Sequence, residues 1–277
     1  MFKVYRLLSP AKINTFLNVI GKNKDGYHTI DSHLQLVSLF DEFLIKEAKN
    51  TIIECNKNIT QDQNIIFKTM SWFEKRYKKK HKFQIKLTKN IPIGSGLGGG
   101  SSNAATMLNF LCHYNGLSNK HLDYKELAFE IGADVPFFVN SRSCYVGGIG
   151  EIILKEQSRN SNFLLVVPNF EISTKKVFQS NLIKIESKRR EELNSLFTPL
   201  IENSDKFSKF YNDLISLEPI FKDKLKLSGS GGSLFIENPT KNEVAFLEKE
   251  KAQKFRVFLV EGLKYYHFKE DWGVAKW

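Results

Sequence analysis

Cysteine is scarce in this chain. Cys55, Cys112 and Cys144 lie far apart, and no Cys-x-x-Cys or His-x-x-His spacing occurs. Three scattered thiols offer neither a disulfide framework nor a zinc site, so they read as reduced and mostly buried. Long apolar runs are missing too; none approaches the roughly 18 residues of a membrane span. Residues 1–10 hold no long apolar core and no small-residue cleavage site, so no secretory signal is expected and the cytoplasm is the expected location.

Nucleic-acid motifs are equally absent: there is no RNP, KH, homeodomain or zinc-finger pattern behind the net charge of +11. The 23 phenylalanines follow apolar-periodic segments and do not interleave with basic clumps such as Lys78-Lys79-Lys80-His81-Lys82. Solvated helix faces account for the lysines, and neither a nucleic-acid nor a membrane partner is expected. The positive field still favours phosphorylated ligands.

What the chain does have is Gly94-Ser95-Gly96-Leu97-Gly98-Gly99-Gly100, followed by Ser101-Ser102-Asn103. Such a loop can turn successive backbone N–H groups into one concavity, and a helix after it adds unpaired N–H groups and a positive dipole end. A nucleotide's phosphate chain is the expected anion. Gly94 and Gly99 have P-loop spacing, but Gly100 stands where that motif needs lysine, which excludes the family in its usual form. Gly94, Gly96 and Gly99 satisfy the dinucleotide pattern, yet a second helix follows where a strand ending in an acid is required. Protein kinases set their glycine loop between two strands. A disordered linker would not open directly into an amphipathic helix.

Residues 4–20 alternate loosely and are broken by Pro10, which suits the start of a new strand better than its centre. After a turn at Asp25-Gly26, extended stretches are expected at 33–39, 43–48 and 51–55. A helix over 62–77 precedes a strand at 82–88 that leads into the glycine loop. The helix at 101–115 stops at Gly116, and Ser118 is expected to cap a second helix ending at Gly132. Then come a strand at 162–167, a short helix at 174–182, helix from 189 to 217, a glycine turn at 228–233 and a strand at 234–237. A helix at 242–251, a strand at 255–260 and a polar tail follow. A boundary between two domains is expected near residue 156.

The run Pro92 to Ala105 resembles the phosphate loop of the GHMP kinases, P-x-G-x-G-L-G-S-S followed by alanines. Ser9-Pro10-Ala11-Lys12-Ile13-Asn14 matches that family's N-terminal motif, and Leu227-Ser228-Gly229-Ser230-Gly231-Gly232 its C-terminal glycine motif. Three motifs in order across nearly the whole chain make the resemblance specific. Gly26-Tyr27-His28 and Gly132-Ala133-Asp134-Val135-Pro136-Phe137-Phe138 narrow it to members acting on a cytidylyl methylerythritol. Ser95, where glycine is common, and Gly232-Ser233 depart from the pattern. The resemblance implies an α+β, two-domain GHMP kinase fold: a ribosomal-protein-S5-domain-2-like N-terminal domain (1–156) and an α/β C-terminal domain (157–277). It also implies ATP and Mg²⁺ as cofactors, with the ion held through ATP phosphates and Ser101 or Ser102 in reach. Monomer and homodimer both stay open.

By the same resemblance, Pro92, Ile93, Gly94, Ser95, Gly96, Leu97, Gly98, Gly99, Gly100, Ser101 and Ser102 cradle ATP, with Asn64 and Lys89 near the adenine. Asp134 is the expected base; Pro136 should push Val135 into an extended conformation and hold the carboxylate on a short constrained segment. Its position alone also suits a solvated turn or a helix-end hydrogen bond. Lys12, in an apolar stretch, points inward only if it has a partner, and Asp134 would serve; an edge-strand lysine facing water fits the position equally. Asn14 shares the strand face of Lys12 and could bind the substrate's polyol. Tyr27, His28 and Phe178 are expected at the cytidine, although the two aromatics also suit a core. His33, His81, His113, His121 and His267 carry no functional expectation.

Overall fold

The computed structural model describes residues 3–250, 254–266 and 273–274. Two long antiparallel strands, β1 (Tyr5–Lys22) and β2 (His28–Glu47), form its spine. β1 runs through Pro10 without a break, contrary to the expected interruption. The ladder shifts register between Pro10 and Ala11, where proline has no N–H to give. The stretches expected separately at 33–39 and 43–48 are both part of β2. β3 (Ile52–Cys55) lies parallel to β4 (Phe83–Thr88), and β4 pairs with the far end of β2.

Between β3 and β4 comes α1 (Ile65–Tyr77), capped by Asn64, whose Oδ1 accepts from the Ile66 N–H at 3.0 Å. α2 (Gly99–Tyr114) starts inside the glycine run, two residues earlier than expected. Ser118 caps only a single 3₁₀ turn; Asp123 caps α3 (Tyr124–Glu130), accepting from two N–H groups. The next segment corrects another expectation. Val135 is helical, not extended: it opens α4 (Val135–Asn140), with Pro136 in the first turn, where its missing N–H costs nothing. β5 (Cys144–Gly147) and β6 (Ile152–Glu156) form a hairpin on β2 that the periodicity did not reveal.

After β7 (Asn162–Pro168), α5 (Thr174–Phe178) is shorter than the expected 174–182. The continuous helix expected from 189 to 217 is replaced by α6 (Phe197–Asn203) and α7 (Asp205–Leu217), parted at Ser204, which caps α7. Residues 186–195 follow β1 instead: Leu17 N–H donates to Leu193 O and Ser195 N–H to Leu17 O. Tertiary hydrogen bonding there overrides helix propensity. α8 (Phe221–Lys224), β8 (Lys226–Leu227), β9 (Leu234–Glu237), α9 (Lys241–Glu250), β10 (Phe255–Leu263) and β11 (Gly273–Val274) follow. Lys251, His267 and most of the polar tail lie outside the described residues.

The strand order is β11-β1-β2-β10-β7-β9-β8. β10 joins the two halves, pairing along β7 and then with β2 at Val37 and Leu36. One buried cluster lies at that junction: Ala11, Ile13, Val37 and Leu97 meet Phe163, Leu165, Phe235 and Val260. Ala11 and Ile13 thus turn one face of β1 into this core, and Lys12 between them must face the other way.

Candidate active site

Lys12 faces a cleft of about 410 Å³ walled by the glycine loop, the start of α2, Asn64, Asp134 and Ser230. The lysine is 4% exposed. Its ammonium donates to Asn14 Oδ1 at 2.6 Å and stands 3.4 Å from Asp134 Oδ2. Asn14 in turn donates to Ser32 Oγ at 2.8 Å, and its backbone N–H reaches Ser228 Oγ at 3.2 Å. Of the two placements open to Lys12, the inward one holds.

Asp134 precedes α4 and accepts the first helical hydrogen bond through its carbonyl, from Phe138 N–H at 3.4 Å. Its side chain makes no capping bond, which leaves the carboxylate turned to Lys12 with 34% of it exposed. The β5–β6 turn closes in behind: a Cβ on Gly150 would lie 3.2 Å from Ala133 O and 4.0 Å from Asp134 Oδ1.

The glycine loop is shaped by contacts that no side chain would permit. A Cβ on Gly96 (φ +83°) would lie 2.8 Å from Gly231 N and 2.8 Å from Ser228 O, so the two glycine turns interlock backbone against backbone. Ser233 N–H donates to Ser95 O at 3.2 Å across the same joint. Gly98 (φ +73°) packs on Lys12 and Phe138 and begins α2 with no side-chain cap and no acid in the first turn. The first N–H groups of a 16-residue helix are therefore left for a ligand at the cleft. The Ser95 hydroxyl braces the loop from within, donating to Pro92 O at 2.6 Å.

The remaining expected residues divide. Ser101 lines the cleft, whereas Ser102 is buried against Ser9, Oγ to Oγ 2.8 Å, and so turns away from it. Asn64 lines the cleft while its oxygen caps α1. Lys89 also lines it, but its ammonium pairs with buried Asp41 and Asn103 Oδ1. His28 and Phe178 stack obliquely, ring centroids 5.8 Å apart. Burial, and secondarily Lys22, holds the His28 pKa below the ordinary histidine value. Tyr27, 53% exposed, makes a T-shaped contact with Phe129 instead, ring centroids 5.5 Å apart.

Asp41, Asn103 and Glu171 were not anticipated, the last packing its chain on Gly94. Asp41 had a signal: it falls in phase with Phe43 and Ile45 on the buried face of β2. Glu171 had none, since its loop meets Gly94 only through the fold.

The profile of the GHMP kinases N terminal domain matches residues 64–142. A 4-diphosphocytidyl-2-C-methyl-D-erythritol kinase of Francisella philomiragia is 33% identical over 277 residues, spanning 95% of this chain and 98% of that one. Its namesake in Clostridium botulinum is 39% identical over 233 residues, 82% of each chain. A crystal structure of a 4-(cytidine 5'-diphospho)-2C-methyl-D-erythritol kinase has a TM-score of 0.73 at 23% identity, over 93% of this chain and 100% of that one. The chain belongs to the GHMP kinase family, and so to the small-molecule phosphotransferases that use ATP.

Proposed function

We propose that this kinase phosphorylates the 2-hydroxyl of 4-diphosphocytidyl-2-C-methyl-D-erythritol with ATP, in the non-mevalonate route to isoprenoid precursors in the cytoplasm. The observation that carries the reading is the Lys12–Asp134 pair, 3.4 Å apart at the wall of the glycine-lined cleft. Asp134 accepts the proton of the substrate hydroxyl. The freed oxygen attacks the γ-phosphorus as its bond to the bridging oxygen breaks, and ADP leaves. Lys12 stabilises the charge that builds on the transferring group, and Asn14 holds both Lys12 and the polyol. The glycine loop and the α2 N-terminus bind the phosphate tail.

Among the described residues no three His, Cys, Asp or Glu side chains converge. The Ser101 hydroxyl beside the phosphate cradle suits an ion whose other ligands are phosphate oxygens and water, as Mg²⁺ prefers. Bound there, Mg²⁺ would supply charge neutralisation on the phosphates. The His28–Phe178 pair supports a cytosine site, with aromatic surface on one side and an imidazole edge for hydrogen bonding. As part of the same proposal, the domains divide between 156 and 157, in the connection from β6 to β7.

ADP release measured with the cytidylyl substrate, homoserine and mevalonate in parallel tests the substrate. Turnover on the cytidylyl compound alone is expected. Turnover on homoserine or mevalonate without it would refute the assignment.

A further inference from the structure

We propose that Asp41 is a positioning residue for nucleotide binding and that it acts through Lys89. The inference rests on the reading of the glycine loop as the ATP cradle. Asp41 is fully buried on β2, in phase with the apolar side chains Phe43 and Ile45. A carboxylate so placed is costly unless every lone pair is met, and here the partners are complete. Oδ1 accepts from Asn90 N–H and Ile91 N–H, each at 2.8 Å. Oδ2 accepts from Asn103 Nδ2 at 2.9 Å and from the Lys89 ammonium.

These partners flank the glycine loop. Residues 89–91 lead into it from β4, and Asn103 lies in the second turn of α2 beyond it. One carboxylate therefore fixes both ends of the loop. The network extends further, since Asn103 Nδ2 also donates to Ser9 Oγ at 3.0 Å and Ser9 meets Ser102.

Lys89 is the member that reaches the nucleotide side. Its ammonium donates to Asn103 Oδ1 at 2.9 Å, and a Cβ on Gly99 would lie 3.1 Å from it. The ammonium end of this ion pair thus sits against the first residue of the helix that receives the phosphates, beside its unpaired N–H groups. Asp41 and Asn103 fix its direction. Without Asp41 the ammonium would be free to swing, or to recruit water into the cleft wall.

The test is a double-mutant cycle. Asp41→Asn keeps the oxygen used by the Asn90 and Ile91 N–H groups and removes the charge facing Lys89. Lys89→Met removes the ammonium and keeps most of the length. Each single variant should raise the ATP KM, and the Kd for a non-hydrolysable ATP analogue, about tenfold, with kcat and the alcohol KM within about twofold. The double variant should show the same tenfold and not a hundredfold, because the two side chains act as one unit. A role confined to packing would change stability without this split between the two KM values.

An Asp41→Asn protein that binds the analogue like wild type would overturn the inference, as would multiplying effects or an equal rise in both KM values. Should Asp41→Asn fail to fold, Lys89→Met and the double variant decide the matter. Equal affinities, both weaker than wild type, support the inference; wild-type affinity in Lys89→Met, or further loss in the double variant, overturns it. Wild-type protein unable to bind the analogue would remove the ATP-cradle reading and this inference with it. Normal wild-type binding with no effect of Asp41 removes the inference alone.

Discussion

Replacing Gly96 with alanine probes the joint between the two glycine turns. The added Cβ would lie 2.8 Å from both Gly231 N and Ser228 O, against 3.4 Å for ordinary contact. Both neighbours are backbone, so the turns must part by about 0.6 Å, the difference of those two distances. The φ of +83° adds its own strain, on the order of 1–2 kcal/mol for a residue with a Cβ. Displacements of about 1 Å at a reacting centre cost up to ~100-fold in rate, so a fall in kcat/KM of about tenfold or more is expected.

Gly116→Ala supplies the control. Gly116 shares the left-handed backbone, φ +66°, but has no atom within 4 Å of the added carbon, and it follows the far end of α2. Urea unfolding should show Gly116→Ala destabilised by about 1–2 kcal/mol and Gly96→Ala by more, since the backbone clash adds to the same strain. Steady-state ADP release should show only Gly96→Ala impaired. Equal activity in the two variants would refute the idea that backbone contact between the turns sets the loop's position.

Three further outcomes are expected. Asp134→Asn should lower kcat by about 10²–10⁴-fold with little change in affinity for an ATP analogue, and turnover within about tenfold of wild type would contradict its role as base. Burial pushes the Cys112 thiol up to about 11 and that of Cys144 up to about 12. A thiol reagent at pH 8 should therefore find Cys55 alone reactive in native protein, and three fast-reacting thiols would disprove the packing around the other two. Burial is also the main cause holding the His33 pKa below its ordinary value, offset in part by the hydrogen bond to Gln157 O. The unfolded chain then takes up that proton first as pH falls below about 6.5, so stability is full above that pH and declines below it. The decline should shrink in His33→Gln, and an undiminished pH dependence in that variant would refute the assignment.

Much of the local structure was legible because it depends on near neighbours. The alternation at Phe83, Ile85 and Leu87 specified β4, and the glycine run opening into an apolar-periodic helix marked the loop that lines the cleft before any fold was known. Lys12 and Asn14 share a face simply because strand side chains alternate. Where the reading failed, either a local helix start or a distant partner had intervened. Val135 became helical because Asp134 O accepts from Phe138 and Pro136 sits in a first turn that needs no N–H from it. Residues 189–196 left the helical state because β1 offered hydrogen bonds to Leu193 and Ser195. Ser102 looked interchangeable with Ser101 until Ser9, 93 residues earlier, took its hydroxyl.

The amino-acid sequence by itself determined the chemistry available here: a loop nearly free of side chains, one lysine in an apolar strand and one aspartate after a helix stop. Only the tertiary structure decided that they converge. Ala11 shares a core with strands more than 150 residues on, and Gly231 lies against Gly96 because neither carries a Cβ. Lys12 meets Asp134 because β1 and the start of α4 are packed around the same helix, α2. Contacts across such separations are set by burial of the whole chain, and no local pattern encodes them.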